Sequence, residues 1–92
     1  MIQLEQRRVV FSGQVQGVGF RYTARRLAGR FDVTGYVRNL ADGRVECVIE
    51  GPGRQIADFV ESLSIRMGQY IDHVQEDKQP YSGNYDTFDV KF

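Results

Sequence analysis

Val33-Thr34-Gly35-Tyr36-Val37-Arg38-Asn39-Leu40, then Ala41-Asp42-Gly43, then Arg44-Val45-Glu46-Cys47-Val48-Ile49-Glu50 reads as two strands joined by a tight turn. The Asp-Gly pair is a strong hairpin signal, because Gly readily takes the positive φ such turns demand. Cys47 alternates with Val45 and Ile49, which predicts a buried strand position rather than a reactive thiol. Upstream, Phe20, Ala24, Leu27, Ala28 and Phe31 fall at helical spacing, with Arg21, Arg25, Arg26 and Arg30 on the opposite face. Ahead of that helix, Arg8-Val9-Val10-Phe11-Ser12 reads as a strand ended by Gly13. Downstream, Pro52 opens a second helix whose apolar stripe is Ile56, Phe59, Val60 and Leu63. Tyr70 to Gln75 and Thr87 to Phe92 read as strands, the last with Phe88, Val90 and Phe92 pointing inward. The order βαββαβ plus a terminal strand predicts an α+β sandwich of ferredoxin-like type, with two helices packed on one face of an antiparallel sheet. Residues 1–92 are expected to form one domain.

Composition narrows the function classes. Twelve Lys and Arg balance twelve Asp and Glu, which argues against a domain built to grip nucleic acid or an anionic membrane. The balance is uneven along the chain. Residues 1–44 carry eight Arg against three acids, and residues 45–92 carry four bases against nine acids. The single cysteine, Cys47, cannot form an internal disulfide, and no stretch has the apolar length of a signal peptide or membrane span. A cytoplasmic location is the simplest expectation, as is a monomer. One Cys and one His cannot build a closed metal site.

The informative loop is Gln14-Val15-Gln16-Gly17-Val18-Gly19-Phe20-Arg21, set between a strand and a helix. A helix start leaves about four N–H groups without partners, and Gly17, Val18, Gly19 and Phe20 offer no side-chain cap. An anion could take the place of the cap, supported by the helix dipole and by the charge of Arg21. Glycine spacing alone favours an ordinary βα turn, and no Gly-Lys-Ser/Thr follows as a Walker loop requires. Arg21 brings the anion cradle level with the plain turn. A second run, Gly35-Tyr36-Val37-Arg38-Asn39, reads by itself as part of the hairpin, with Asn39 a usual residue near a strand end.

Together the two runs resemble the acylphosphatase family. Gly13-Gln14-Val15-Gln16-Gly17-Val18-Gly19-Phe20-Arg21 looks like its signature, as does Gly35-Tyr36-Val37-Arg38-Asn39 followed by Asp42-Gly43-Arg44-Val45-Glu46. The resemblance spans roughly Arg8 to Phe92, and the fold it implies coincides with the one read from periodicity. It implies a phosphate cradle from the backbone of Gln16, Gly17, Val18, Gly19 and Phe20, with Arg21 on the phosphoryl oxygens and Asn39 positioning the attacking water. The implied activity is hydrolysis of a small acyl phosphate to a carboxylate and inorganic phosphate, without metal or cofactor. Two positions depart from the family pattern. Phe31-Asp32-Val33 stands where Leu-Gly-Leu is frequent, leaving Asp32 to end the first helix in a left-handed conformation. Tyr36 stands where Trp is common.

The chemistry suits that residue set. A departing carboxylate has a conjugate acid of pKa near ~4, so no general acid is required. Phosphoryl transfer is chiefly positioning and stabilisation of the equatorial oxygens, which Arg21 and backbone amides can supply. Asn39 can orient water but cannot keep its proton, which passes to the substrate phosphate or to bulk solvent. Other residues read as background. Arg25, Arg26 and Arg30 look like a solvated helix face, and Arg38 points away from Asn39 by strand parity. His73 beside Asp72 reads as structural or surface, and Tyr81 to Tyr85 as a loop with two exposed aromatics. A non-catalytic anion-binding module would fit better without Asn39. An RNA-binding ferredoxin-like domain would want an RNP-type aromatic run that is absent.

Overall fold

The structure, a computed structural model, describes residues 2–92. Its elements are β1 (Leu4–Gly13), α1 (Phe20–Ala28), β2 (Thr34–Asn39), β3 (Val45–Pro52), α2 (Gly53–Arg66), a one-turn 3-10 helix (Gly68–Tyr70), β4 (Ile71–Gln79) and β5 (Phe88–Val90). The sheet order is β4-β1-β3-β2-β5. Four strands pair antiparallel, while β5 adds to β2 in parallel, so the sheet is mixed rather than wholly antiparallel.

Both helices lie on one face, α1 over β2 and β5 and α2 over β1 and β3. Strand alternation sends Val9, Phe11, Val37, Val45, Cys47 and Ile49 toward them. The α2 stripe of Ile56, Phe59, Val60 and Leu63 is buried against that layer, at about 1.5–3 kcal/mol for each large side chain fully removed from water. Phe59 packs edge-on against Phe88, with ring centroids 5.3 Å apart, which docks β5 at the sheet edge. The Asp-Gly turn forms as expected. Leu40 and Arg44 close it by a backbone bond of 2.8 Å, Gly43 takes φ 96°, and Asp42 accepts from the Arg44 amide at 3.1 Å. That amide, together with the Arg44 guanidinium, holds the Asp42 carboxyl below the usual range.

Three local expectations are corrected. The first helix ends at Ala28, where Gly29 stays right-handed and donates back to Arg26 at 3.3 Å. Asp32 does not terminate it in a left-handed conformation, since no non-glycine described residue has positive φ; its amide instead donates to the Gln55 side chain at 2.9 Å. Phe92 does not continue the inward alternation of β5, because the strand stops at Val90 and Phe92 is 99% exposed. Tyr85 is not an exposed aromatic. It is half-buried beside Tyr36, with ring centroids 5.9 Å apart, while Tyr81 is exposed as expected.

The sheet face away from the helices holds two acids that sequence pattern alone did not single out. Glu46 is buried and receives Arg8 Nε at 2.5 Å and Arg38 Nε at 2.6 Å. Burial works to raise its carboxyl, but the two arginines outweigh that and hold it below the ordinary range. Glu50 is also buried, accepting from Gln6 at 2.6 Å, from the Ser82 amide and hydroxyl at 2.7 and 2.8 Å, and from the Gly83 amide at 3.0 Å. The chain between β4 and β5 must cross this face from one sheet edge to the other, and Glu50 on β3 catches it midway.

Candidate active site

The loop between β1 and α1 is held at both ends before it offers anything to a ligand. Gln14 donates its amide to Tyr70 at 3.0 Å, Val15 is fully buried, and Phe20 packs on Phe11 with ring centroids 4.9 Å apart. Between these anchors Gly17 takes φ 76° and Gly19 takes φ 79°, a left-handed geometry that side chains resist. A Cβ at either glycine would meet nothing within 4 Å, so glycine is needed here for its backbone angle rather than for space. Gly19 is the N-cap of α1 and supplies no side-chain hydrogen bond, and the first turn carries no acid. Among the described residues, no backbone hydrogen bond outside the helices and strands is donated by an amide from Gln16 to Phe20. The uncapped helix start expected from the sequence is therefore present, with its donors free.

Arg21 and Asn39 reach this loop from two elements. Gly17, Gly19, Phe20, Arg21 and Asn39 all line one cavity of about 250 Å³. Asn39 is the last residue of β2 and shares the parity of buried Val37, so it faces the loop, while Arg38 turns to Glu46 on the other face as expected. Among the described residues Arg21 has no carboxylate partner; its guanidinium carbon sits 5.0 Å from the centroid of the Phe92 ring. The cavity lining also includes the apolar side chains of Val15, Val90 and Phe92. The cavity thus combines donors and charge with hydrocarbon.

Gln16 and Val18 enter differently. Their side chains are not in the cavity wall; Val18 packs against the edge of the core. Gln16 Nε2 donates to Leu40 at 2.8 Å and to Arg44 at 3.0 Å, two carbonyls of the β2–β3 turn. That pair of bonds ties the glycine loop to the strand end that presents Asn39. Sequence spacing gave no sign of this tether, nor of Phe92 over Arg21, because both partners lie far along the chain.

Tyr22 also lines the cavity, as does Arg25, read from the sequence as background, with Asp89 at 3.5 Å; Cys47 and His73 do not. Cys47 is fully buried and burial pushes its thiol far above the ordinary range, which removes it as a nucleophile at neutral pH. His73 is exposed on β4. Among the described residues no three His, Cys, Asp or Glu side chains cluster so as to hold a metal ion.

Residues 7–90 match the family model described as acylphosphatase. The chain belongs to the acylphosphatase family. It is 52% identical over 79 residues to an acylphosphatase of Nitrobacter hamburgensis, a match covering 85% of this chain and 78% of that one. It is 42% identical over 81 residues to an acylphosphatase of Arthrobacter sp., covering 87% and 74%. The crystal structure of the Bacillus subtilis acylphosphatase superposes with a TM-score of 0.86 at 29% identity, covering 98% of this chain and all of that one. Acylphosphatases hydrolyse acyl phosphates to a carboxylate and inorganic phosphate, and this chain is a hydrolase of that kind. Among the described residues no helix is long and apolar enough to cross a membrane.

Proposed function

We propose that the reaction runs in the cavity between the glycine loop and Asn39. The phosphoryl oxygens take the amides of Gln16 to Phe20 and the guanidinium of Arg21, and Asn39 orients the water that attacks in line. The observation that carries this reading is the convergence of an uncapped helix start, an arginine without a carboxylate partner and the amide of Asn39 on one cavity. The leaving carboxylate needs no proton from the enzyme, and the proton of the attacking water passes to the phosphate or to solvent. The acyl group lies against the apolar side chains of Val90 and Phe92. The substrate is a small-molecule acyl phosphate, and inorganic phosphate is the product.

Hydrolysis of benzoyl phosphate, compared between wild type and Asn39→Ala, tests the assignment. Turnover is expected to vanish in Asn39→Ala while inorganic phosphate still competes for the cradle. Turnover near the wild-type level would remove Asn39 from the mechanism, and loss of phosphate binding would make it an anchor instead. The same reading requires no metal, so activity is expected to survive an excess of chelator; its loss would expose a metal in the reaction. A single domain over residues 1–92, acting as a monomer in the cytoplasm, completes the reading. It is supported by one continuous core and by the lone buried Cys47, and light scattering of the purified chain checks the oligomeric state.

A further inference from the structure

Six of the ten arginines pair with carboxylates among the described residues: Arg7, Arg8, Arg25, Arg38, Arg44 and Arg54. Arg21, Arg26, Arg30 and Arg66 do not. Arg21 belongs to the catalytic cavity. The other three line a separate concavity of about 160 Å³ between α1 and the end of α2, together with Tyr22, Thr23 and Leu27.

We propose that this concavity is a second anion site, suited to a phosphate chain carrying several charges, such as pyrophosphate. Helix-dipole complementarity explains part of the pattern, since Arg26 lies in the last turn of α1 and Arg66 ends α2. It does not explain the convergence. Arg25 occupies the same last turn as Arg26 and has Asp89 at 3.5 Å, whereas Arg26 and Arg30 line the concavity with no acid among its lining residues. Arg66, distant in sequence, adds a third charge from the neighbouring helix, which makes a pocket of what looked along the chain like a solvated face. Three guanidiniums offer planar, multidentate donation to phosphate oxygens, and the Thr23 hydroxyl adds another donor. Arg26 is also held with its guanidinium carbon 5.8 Å from the Tyr22 ring centroid, so one of the three is already positioned. Tyr22 lines the catalytic cavity as well, making it the wall that the two sites share.

The site is separable from the cradle by experiment. Amide NMR of the Arg21→Ala chain, titrated with pyrophosphate, is expected to show saturable shifts at Thr23, Leu27 and Arg66. In an Arg30→Ala/Arg66→Ala variant, binding at this site should weaken about tenfold or more, as two charge-assisted contacts are lost. Benzoyl phosphate turnover of that variant should stay at the wild-type level, because neither residue touches the catalytic cavity. An Arg30→Lys/Arg66→Lys variant should keep measurable binding, which separates lost charge from disturbed packing. The proposal falls if pyrophosphate shifts only Gly17 to Arg21 in wild type and nothing in Arg21→Ala. It also falls if the double alanine variant binds at this site as tightly as wild type.

Discussion

The two helices begin in the same unusual way and are completed differently. Neither α1 nor α2 has a side-chain cap hydrogen bond, and neither carries an acid in its first turn. At the start of α2 the chain provides its own carboxylate: a Cβ on Gly53 would collide with Glu5 Oε2, which lies against the helix end. At the start of α1 no carboxylate lines the cavity among the described residues, and the free amides lie at a cavity beside Arg21. A carboxylate of the protein itself lies against one helix start, without a capping hydrogen bond, while the other start faces the cavity. An uncapped helix start marks a site only when nothing in the protein itself fills it.

The sharpest way to break this contrast is to remove the charge that distinguishes the α1 end. Arg21→Ala is expected to lower kcat by ~10³-fold or more, by analogy with arginines that stabilise phosphoryl transfer, and to weaken phosphate competition. Steady-state kinetics with benzoyl phosphate reads both. A smaller effect should follow from giving α1 what α2 has. Gly19→Asp places a carboxylate at the helix start in a backbone geometry that Asp tolerates, so phosphate inhibition should weaken by about tenfold or more through direct repulsion. Its stability should stay within about 1 kcal/mol of wild type, read by thermal melting, because the dipole gain offsets the backbone cost. The smallest effect is expected from Glu5→Gln, which takes the carboxylate away from α2. Glu5 also meets Arg7 and Lys78, each at 3.4 Å. Its loss should cost about 0.3–1 kcal/mol in low salt and less in high salt, with turnover unchanged. A fall in turnover there would mean that the two helix starts are coupled.

Much of this was legible in the sequence because it is local. The α2 stripe, the Asp42-Gly43 turn and the parity that separates Arg38 from Asn39 depend on neighbours within a few positions, and periodicity reports such neighbours directly. The glycine loop was legible as an uncapped start, and the family resemblance supplied the partner it needed. What escaped depends on distant pairs. Buried Glu46 and Glu50 look like ordinary outward strand residues until Arg8 and Arg38, or Ser82 and Gly83, are brought over them. Gln16 reads as a loop residue until its amide meets Leu40 and Arg44. Alternation carried Phe92 inward, but the strand ends two residues earlier and the ring turns to Arg21 instead. Asp32 was assigned the helix end on conformational tolerance, whereas Gly29 ends it sooner.

The clasp at Glu50 ties the β4–β5 crossing to the middle of the sheet. Burial would raise that carboxyl, but the Ser82, Gln6 and Gly83 bonds outweigh it and hold it below its ordinary range. Its contribution to stability is therefore complete above about pH 4.3 and is lost as acidification carries the pH through the lowered native value. The element released by that loss is the crossing between β4 and β5, together with a terminal strand of only three residues paired along one edge. In the language of hydrogen exchange, this unit is expected to lose protection on acidification ahead of the central strands β1 and β3. Its departure would carry Val90 and Phe92 from the cavity while the glycine loop, anchored to β1 and the hairpin, stays in place. Acid would thus strip the cavity of those two apolar side chains before the enzyme loses its grip on phosphate.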